Sequence, residues 1–297
     1  MNVHFNAETQ MQESIHVMLA SDGADVAGLA VAGYSAVQQT SRAVALWVVQ
    51  QDFDHDTMLS LRKFWAGAEK VQFLTMKSLP WWWATPNIPL LSWARIQITE
   101  LLPSSVSRCI YLDTDTLVGR DLSELFDMPL YGKPIAMAIN DKMTPQVNAY
   151  VASLGINPDY WYNAGVALID LDAWRRESEM EGMLISKRSM PTSLWFNDQD
   201  LINKHFAGRV LTLDLSWNRR DAAYSPDGQI LHLAGKPKPW EMTDDGDSLP
   251  GVGAWLEVSA LWGRKPVPKR RSMMKLRAAS AMRHLVTFAR KLSITSA

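Results

Sequence analysis

Residues 108–118 read RCIYLDTDTLV, and the rest of the chain is best understood outward from them. An apolar run from Cys109 to Leu112 leads directly into two carboxylates, Asp113 and Asp115, one residue apart. Short apolar runs ended by polar residues read as buried strands. Side chains two apart on a strand project the same way, so Asp113 and Asp115 can share one hard divalent cation. Such a cation can in turn hold a diphosphate. A turn carrying two solvated aspartates would produce the same letters.

Around this stretch, β-branched runs alternate with segments of helical period, which predicts an α/β layer architecture. The expected strands cover 15–20, 43–50, 70–76, 108–114, 134–140, 163–170, 209–214 and 230–234. The expected helices cover 25–38, 55–66, 91–102, 172–188, 198–206 and 254–262. The first 110 residues read as β-α-β-α-β, the pattern of a parallel nucleotide-binding sheet. Ligands of such sheets sit at the carboxyl ends of the strands, where the two aspartates fall.

Composition narrows the classes. The chain has 297 residues and one cysteine, so no intramolecular disulfide supports it. Apolar residues make up 47% and charged residues 21%, too apolar for a disordered protein. No run approaches the ~18 uncharged apolar residues of a membrane-spanning helix. The opening MNVHFNAETQMQES lacks a basic patch followed by an apolar segment, so a cytoplasmic protein is expected.

Charge is segregated. From Arg264 onward there are ten Lys or Arg and no acid, leaving 20 basic against 31 acidic side chains in residues 1–263. The expected organisation is a catalytic body, 1–263, with its nucleotide-binding part at about 15–116, and a basic helical tail, 264–297. In the tail, Met274, Ala278, Ala281, Leu285, Phe288 and Leu292 share one helical face. A basic amphipathic helix of this kind suits the anionic inner face of a plasma membrane. Nucleic acid is the other polyanion such a tail could meet, but no nucleic-acid motif accompanies it.

Three further segments could carry chemistry. YWYNAGVALIDLDAWR, 160–175, places small residues before a strand, where a ligand or another backbone can approach closely. NDQDLIN, 197–203, starts a helix with acids. HLAGKPKPW, 232–240, sets a histidine at a strand end, followed by a glycine and two lysines that suit a phosphate. Each has an ordinary structural reading when taken alone.

Taken together and in order, the four segments resemble glycosyltransferase family 8, retaining sugar-nucleotide transferases, over roughly Ile15 to Trp240. The likeness looks greatest to the lipopolysaccharide galactosyl- and glucosyltransferases. It implies a GT-A-type, Rossmann-like mixed sheet flanked by helices. It also implies transfer of a hexose from a UDP-sugar to a saccharide or lipid-linked acceptor. Asp113, Asp115 and His232 match the family's Mn²⁺ ligands, with Mg²⁺ the alternative cation. Ala20 and Asp22 match positions at the uracil and ribose, and Arg95 and Thr114 lie on the donor side. Gly235 and Lys238 match diphosphate contacts, while Asn163, Asp198 and Gln199 match residues around the transferred sugar. Of these, Gln199 and Asp198 are the catalytic candidates. Trp81, Trp82 and Trp83 lie where family members differ and are candidate acceptor contacts.

The chain departs from the family pattern at two places. The family's aspartate after the strand near Ile139 is Asn140 here, with Asp141 next, and a polar position after the first strand is Ala24. A different chemistry also fits RCIYLDTDTLV. Haloacid-dehalogenase-like phosphotransferases place an Asp-x-Asp after an apolar strand, but with Thr or Val where this chain has Leu117.

Overall fold

The computed structural model describes residues 13–77, 90–191, 194–235, 237–241 and 249–263. The expected tail helix, within 264–297, and Trp81, Trp82 and Trp83 lie outside the described residues. In chain order the strands are β1 (Ile15–Ser21), β2 (Val44–Gln50), β3 (Lys70–Leu74), β4 (Arg108–Leu112), β5 (Thr116–Val118), β6 (Ile135–Ile139), β7 (Tyr162–Asp170), β8 (Val210–Leu213) and β9 (Ile230–His232). The α-helices are α1 (Val26–Gln39), α2 (His55–Phe64), α3 (Ile98–Leu101), α4 (Leu122–Phe126), α5 (Pro145–Ser153), α6 (Leu171–Arg176), α7 (Glu179–Arg188), α8 (Asp198–His205) and α9 (Pro250–Leu261).

Seven strands form one mixed sheet in the order β3-β2-β1-β4-β7-β6-β8, and β5 pairs with β9 in a small second sheet. The first four are parallel, as expected from the sequence. β7 runs antiparallel to both β4 and β6, and β8 is parallel to β6. Both faces are covered. Ile15, Val17 and Leu19 of β1 enter one core with Leu46 and Val48 of β2, whereas Met18, Trp47 and Val49 enter the other. Burial on both faces is why these strands read as continuous apolar runs rather than alternating ones.

Local chemistry places the helix ends. Asp54 caps α2 by accepting from the Thr57 N–H at 2.7 Å, and Asp170 caps α6 by accepting from Ala173 at 2.8 Å. Thr144 caps α5, with Pro145 in its first turn.

Three expectations change. The helix expected over 172–188 is two helices, α6 and α7, separated by Ser178 in the left-handed region at φ 50°. The break turns Glu179 inward to an ion pair with Arg209 at 2.5 Å and a hydrogen bond with His205 at 2.6 Å. A buried carboxylate needs such partners, and that need overrides the helical period. The helix expected over 91–102 is a 3-10 helix, Leu90–Gln97, followed by the single turn of α3. Finally, β5, α4 and α5 were not anticipated. β5 depends on a distant partner, and α4 is too short to show a period.

One contact between helices has a clear energetic signature. A Cβ on Gly33 of α1 would lie 2.7 Å from the Trp65 indole, whose Nε1–H donates to Ala30 O at 2.9 Å. Gly33→Ala gains helix propensity of about 1 kcal/mol. Overpacking against a fixed indole costs about 1–3 kcal/mol. Urea denaturation is therefore expected to show a net loss of stability, and an unchanged or raised midpoint would contradict this packing.

Candidate functional site

The strand order reverses direction of growth at β1 and β4, the position where open α/β sheets leave a crevice. A cavity of about 310 Å³ occupies it. Ala20, Ser21, Asp22 and Asp25 line one end, Asp113 and Thr114 the floor, and Asn197, Asp198 and Gln199 the other end.

Two strand pairings meet in the turn 113–116. The β4–β7 ladder runs on to Asp113, whose N–H donates to Gly165 O at 2.8 Å. The β5–β9 pairing sets Thr116 opposite His232, and Leu233 N–H donates to Asp115 O at 2.8 Å. Together they bring Asp113, Asp115 and His232 into one cluster, with a ligand atom from each lying within 4.8 Å of the others. His232 Nε2 is 3.1 Å from Asp115 Oδ1 and 3.7 Å from Asp113 Oδ2.

Whether these residues suit a cation is decided by their neighbours. Asn218 donates through Nδ2 to Asn163 Oδ1 at 2.8 Å, so its Oδ1 faces His232 Nδ1, 2.9 Å away. That oxygen requires a proton on Nδ1. The lone pair of a neutral ring is then at Nε2, pointing at two carboxylates. Three electron-rich atoms held together repel one another unless a proton or a metal lies between them. A backed-up imidazole with two carboxylates is a donor set that suits a divalent cation. Lys238 Nζ meanwhile bonds the other oxygen of Asp115. Burial acts to raise the Asp115 carboxyl; when a proton rather than a metal fills the gap at Nε2, the charged ring and Lys238 outweigh burial and hold that carboxyl well below the usual range.

A second cation organises the cavity floor. Arg95 is buried, with its ring-like guanidinium plane 4.0 Å from the Tyr111 ring centroid. It bonds Ala164 O, pairs with Asp113 at 2.7 Å and pairs with Asp198 at 2.8 Å. Burial pushes the Asp198 carboxyl up to about 7, in spite of Arg95 and with Asp113 adding to the rise. Gln199 Oε1 accepts from Asn163 Nδ2 and from the Ala164 N–H, both at 3.2 Å.

The remaining expected positions fall as follows. Ala20 and Asp22 sit at the end of β1, with Asp22 exposed and accepting from the Ala24 N–H at 3.0 Å. Gly235 has a φ of 109°, a turn that glycine accommodates without strain. Thr114 donates to Asp25 rather than facing a ligand alone. Asn140 is buried at the end of β6, and Asp141 is exposed.

Several site residues escaped the sequence reading. Asp25 precedes α1 without capping it; its two oxygens instead accept from Ser21 and Thr114. Burial raises its carboxyl above the ordinary value. Asn218 carries no local signal. Gly165 was noted only as one of several small residues. A Cβ there would stand 2.1 Å from His232 Cε1 and 2.9 Å from Asp113 Oδ2. A register shift in the β6–β7 pairing, at Met137/Ala138, accompanies this stretch of β7, as bulges often do beside sites.

The fold and the cluster define a GT-A-type α/β protein with a cation-competent crevice. The family model for "Glycosyl transferase family 8" matches residues 16–244, and the chain belongs to that family. It is 28% identical over 205 residues to "Probable galacturonosyltransferase-like 2" of Arabidopsis thaliana, covering 59% of each chain. It is also 28% identical over 167 residues to the glycosyltransferase GlyF of Streptococcus pneumoniae, covering 52% of this chain and 39% of that one. The chain thus spans little more than half, or less, of these curated relatives. Among solved structures, the galactosyltransferase LgtC in complex with donor and acceptor sugar analogues superposes with a TM-score of 0.72 at 21% identity. That match covers 83% of this chain and 96% of LgtC, and it establishes the likeness of fold. Family membership favours a glycosyltransferase over the phosphotransferase reading of the chain.

Gly165→Ala is expected to displace His232 while the sheet stays folded. Calorimetric titration with Mn²⁺ should show affinity reduced by about 10–100-fold, the range for disturbed outer-shell support. Unchanged affinity would mean the cluster does not depend on this glycine.

Asp200 yields a pH prediction. It is fully buried and accepts from Tyr150 Oη at 2.6 Å and the Phe196 N–H at 2.9 Å. Burial pushes its carboxyl up to about 6, against an ordinary ~3.9. A raised acid favours the fold while protonated, so its contribution is full below about pH 4 and is lost as pH rises through about 6. Asp200→Asn keeps an acceptor for both donors. Relative to wild type, its stability should rise between pH 4 and 7 by on the order of 2 kcal/mol. A pH-independent difference in melting temperature would contradict the shift.

Proposed function

We propose that the chain is a glycosyltransferase that moves a hexose, or its C6 acid, from a UDP-sugar to a hydroxyl of a saccharide acceptor with retention of configuration. The observation that carries this reading is the Asp113–Asp115–His232 cluster, whose Asp113 also lines a crevice shared with Asp198 and Gln199. Galactosyl and galacturonosyl transfer are both represented in the names of similar proteins.

A Mn²⁺ or Mg²⁺ ion in the cluster would offset the charge that develops on the leaving diphosphate. Lys238, already against Asp115, is placed to add a positive charge on the same side. Ala20 and Asp22 are assigned to the nucleoside end, with Gly235 close to the diphosphate. Gln199 keeps its carbonyl oxygen on Asn163 and Ala164, which leaves its NH₂ to orient the sugar. An amide so engaged is a poor nucleophile. Asp198 is buried, with Oδ2 held 2.8 Å from Arg95 Nε. Neither group suits attack on the far face of the sugar. A same-face displacement, with the leaving phosphate accepting the acceptor's proton, is therefore favoured over a covalent intermediate on Asp198.

The acceptor is assigned to cell-surface glycan such as lipopolysaccharide, with residues 264–297 resting on an anionic membrane surface. Among the described residues, no helix is long and apolar enough to cross a membrane.

Asp113→Asn and Asp115→Asn are each expected to abolish transfer while circular dichroism and melting remain those of a folded protein. Chelation by EDTA should silence the wild type, and added Mn²⁺ should restore it. A screen of UDP-sugars for Mn²⁺-dependent hydrolysis identifies the donor. Full activity in EDTA, or in either variant, would sink the assignment.

A further inference from the structure

The residue that opens α8 forgoes the usual work of its position. An asparagine just before a helix normally accepts, through its side chain, from a backbone N–H of the first turn. Asn197 makes no such bond, and the Gln199 N–H donates instead to Phe196 O at 3.1 Å. The backbone of Asn197 lies at φ 50° and ψ −112°, outside the regions that residues with a Cβ adopt freely. The residue is 4% exposed and lines the crevice, yet its Oδ1 has no hydrogen-bond partner.

A strained backbone, an unused cap and an unpaired buried acceptor are each unfavourable. The flanking residues hold all three in place. Trp195 N–H donates to Tyr150 Oη and Phe196 N–H to Asp200 Oδ2, both at 2.9 Å. On the other side, Asp198 is paired to Arg95 and Asn203 Nδ2 donates to Gln199 O at 2.8 Å. Strain that the surroundings maintain in this way clusters where a ligand is handled.

The chemistry wanted at Oδ1 follows from the atom itself. Apart from the Arg95–Asp198 pair, Ser92 Oγ is the other buried side-chain atom without a partner among the described residues lining this cavity. A hydroxyl can turn to donate or to accept, whereas an amide oxygen only accepts. In an open crevice water serves such an oxygen, and a ligand that displaces the water must bring an N–H or O–H in its place. Asn197 shares its end of the crevice with Asp198 and Gln199, away from Ala20 and Asp22. The part of a UDP-sugar that reaches that end is the hexose, whose hydroxyls supply the missing O–H.

We infer that Asn197 selects the sugar to be transferred, its Oδ1 accepting a hydrogen bond from one hydroxyl of the hexose. The inference rests on the glycosyltransferase reading and deepens it by naming a residue that sets sugar specificity.

The test pairs Asn197→Gly with deoxy sugars. Glycine removes the amide and adopts the same backbone without strain. Calorimetric titrations of the full chain in Mn²⁺ compare UDP-glucose and UDP-galactose with their monodeoxy analogues at each free hydroxyl, using UDP as the reference. In the wild type, loss of the hydroxyl that Asn197 holds should weaken binding by about 10–100-fold, because Oδ1 is then left unpaired. In Asn197→Gly the same deletion should cost less than about twofold, while deletions elsewhere on the ring cost what they cost in the wild type. UDP should bind both proteins alike, as the sign of an intact fold. Deletions that cost the same in both proteins, or that cost nothing in the wild type, overturn the inference. So does a loss in Asn197→Gly that falls equally on UDP, which would place Asn197 in the service of the nucleotide or of the fold. If UDP does not bind the wild type at all in Mn²⁺, the glycosyltransferase reading fails and takes this inference with it.

Discussion

The buried guanidinium of Arg95 is the interaction on which the rest of the site depends. Asp113 and Asp198 come from distant parts of the chain and would repel each other across the cavity floor. Arg95 pairs with both, holds Ala164 O and lies over Tyr111, so one side chain ties the end of β4, the start of β7 and the first turn of α8. Burial alone would disfavour its charge, but Asp113 and Asp198 outweigh that and keep it ionised. Breaking a buried pair by removing one partner typically costs about 3–5 kcal/mol, because the remaining charge is left uncompensated. The geometry around Arg95 is correspondingly rigid.

That rigidity sets the electrostatics of the crevice. Asp113 has one oxygen on Arg95 and the other toward His232, while Asp115 is shared between His232 and Lys238. The cluster is neither a free acidic patch nor a closed salt bridge. Its imidazole is oriented by Asn218, and Asn218 is oriented by Asn163, which also holds Gln199. The Asp113–Asp115–His232 cluster and Gln199 are thus joined by a chain of amide hydrogen bonds. A change in Asn163 or Asn218 would reach both ends, and Gly165 is required because the histidine occupies the space where its Cβ would lie.

Much of the fold could be read from local pattern. Continuous apolar runs mark β1, β2 and β4 because both of their faces are buried. The Asp-x-Asp was visible for a local reason too: it directly follows the continuous apolar run of β4. His232 and Lys238 were reached through resemblance, since no short-range pattern links residues more than a hundred positions from Asp113.

What local pattern could not supply were features created by contact between distant segments. The pairing of β5 with β9 brings His232 to Asp115, and neither three-residue strand is long enough to show a period. Ser178 adopts a left-handed conformation because Glu179 must reach Arg209 and His205, a demand absent from the helix's own sequence. Asn218, Gly165 and Asp25 look like ordinary loop, strand and cap residues until their neighbours arrive. Periodicity records which face of an element is dry, and that information lies along the chain; hydrogen-bond satisfaction, steric exclusion and charge pairing are properties of atoms brought together from far apart, so they exist only once the chain has folded.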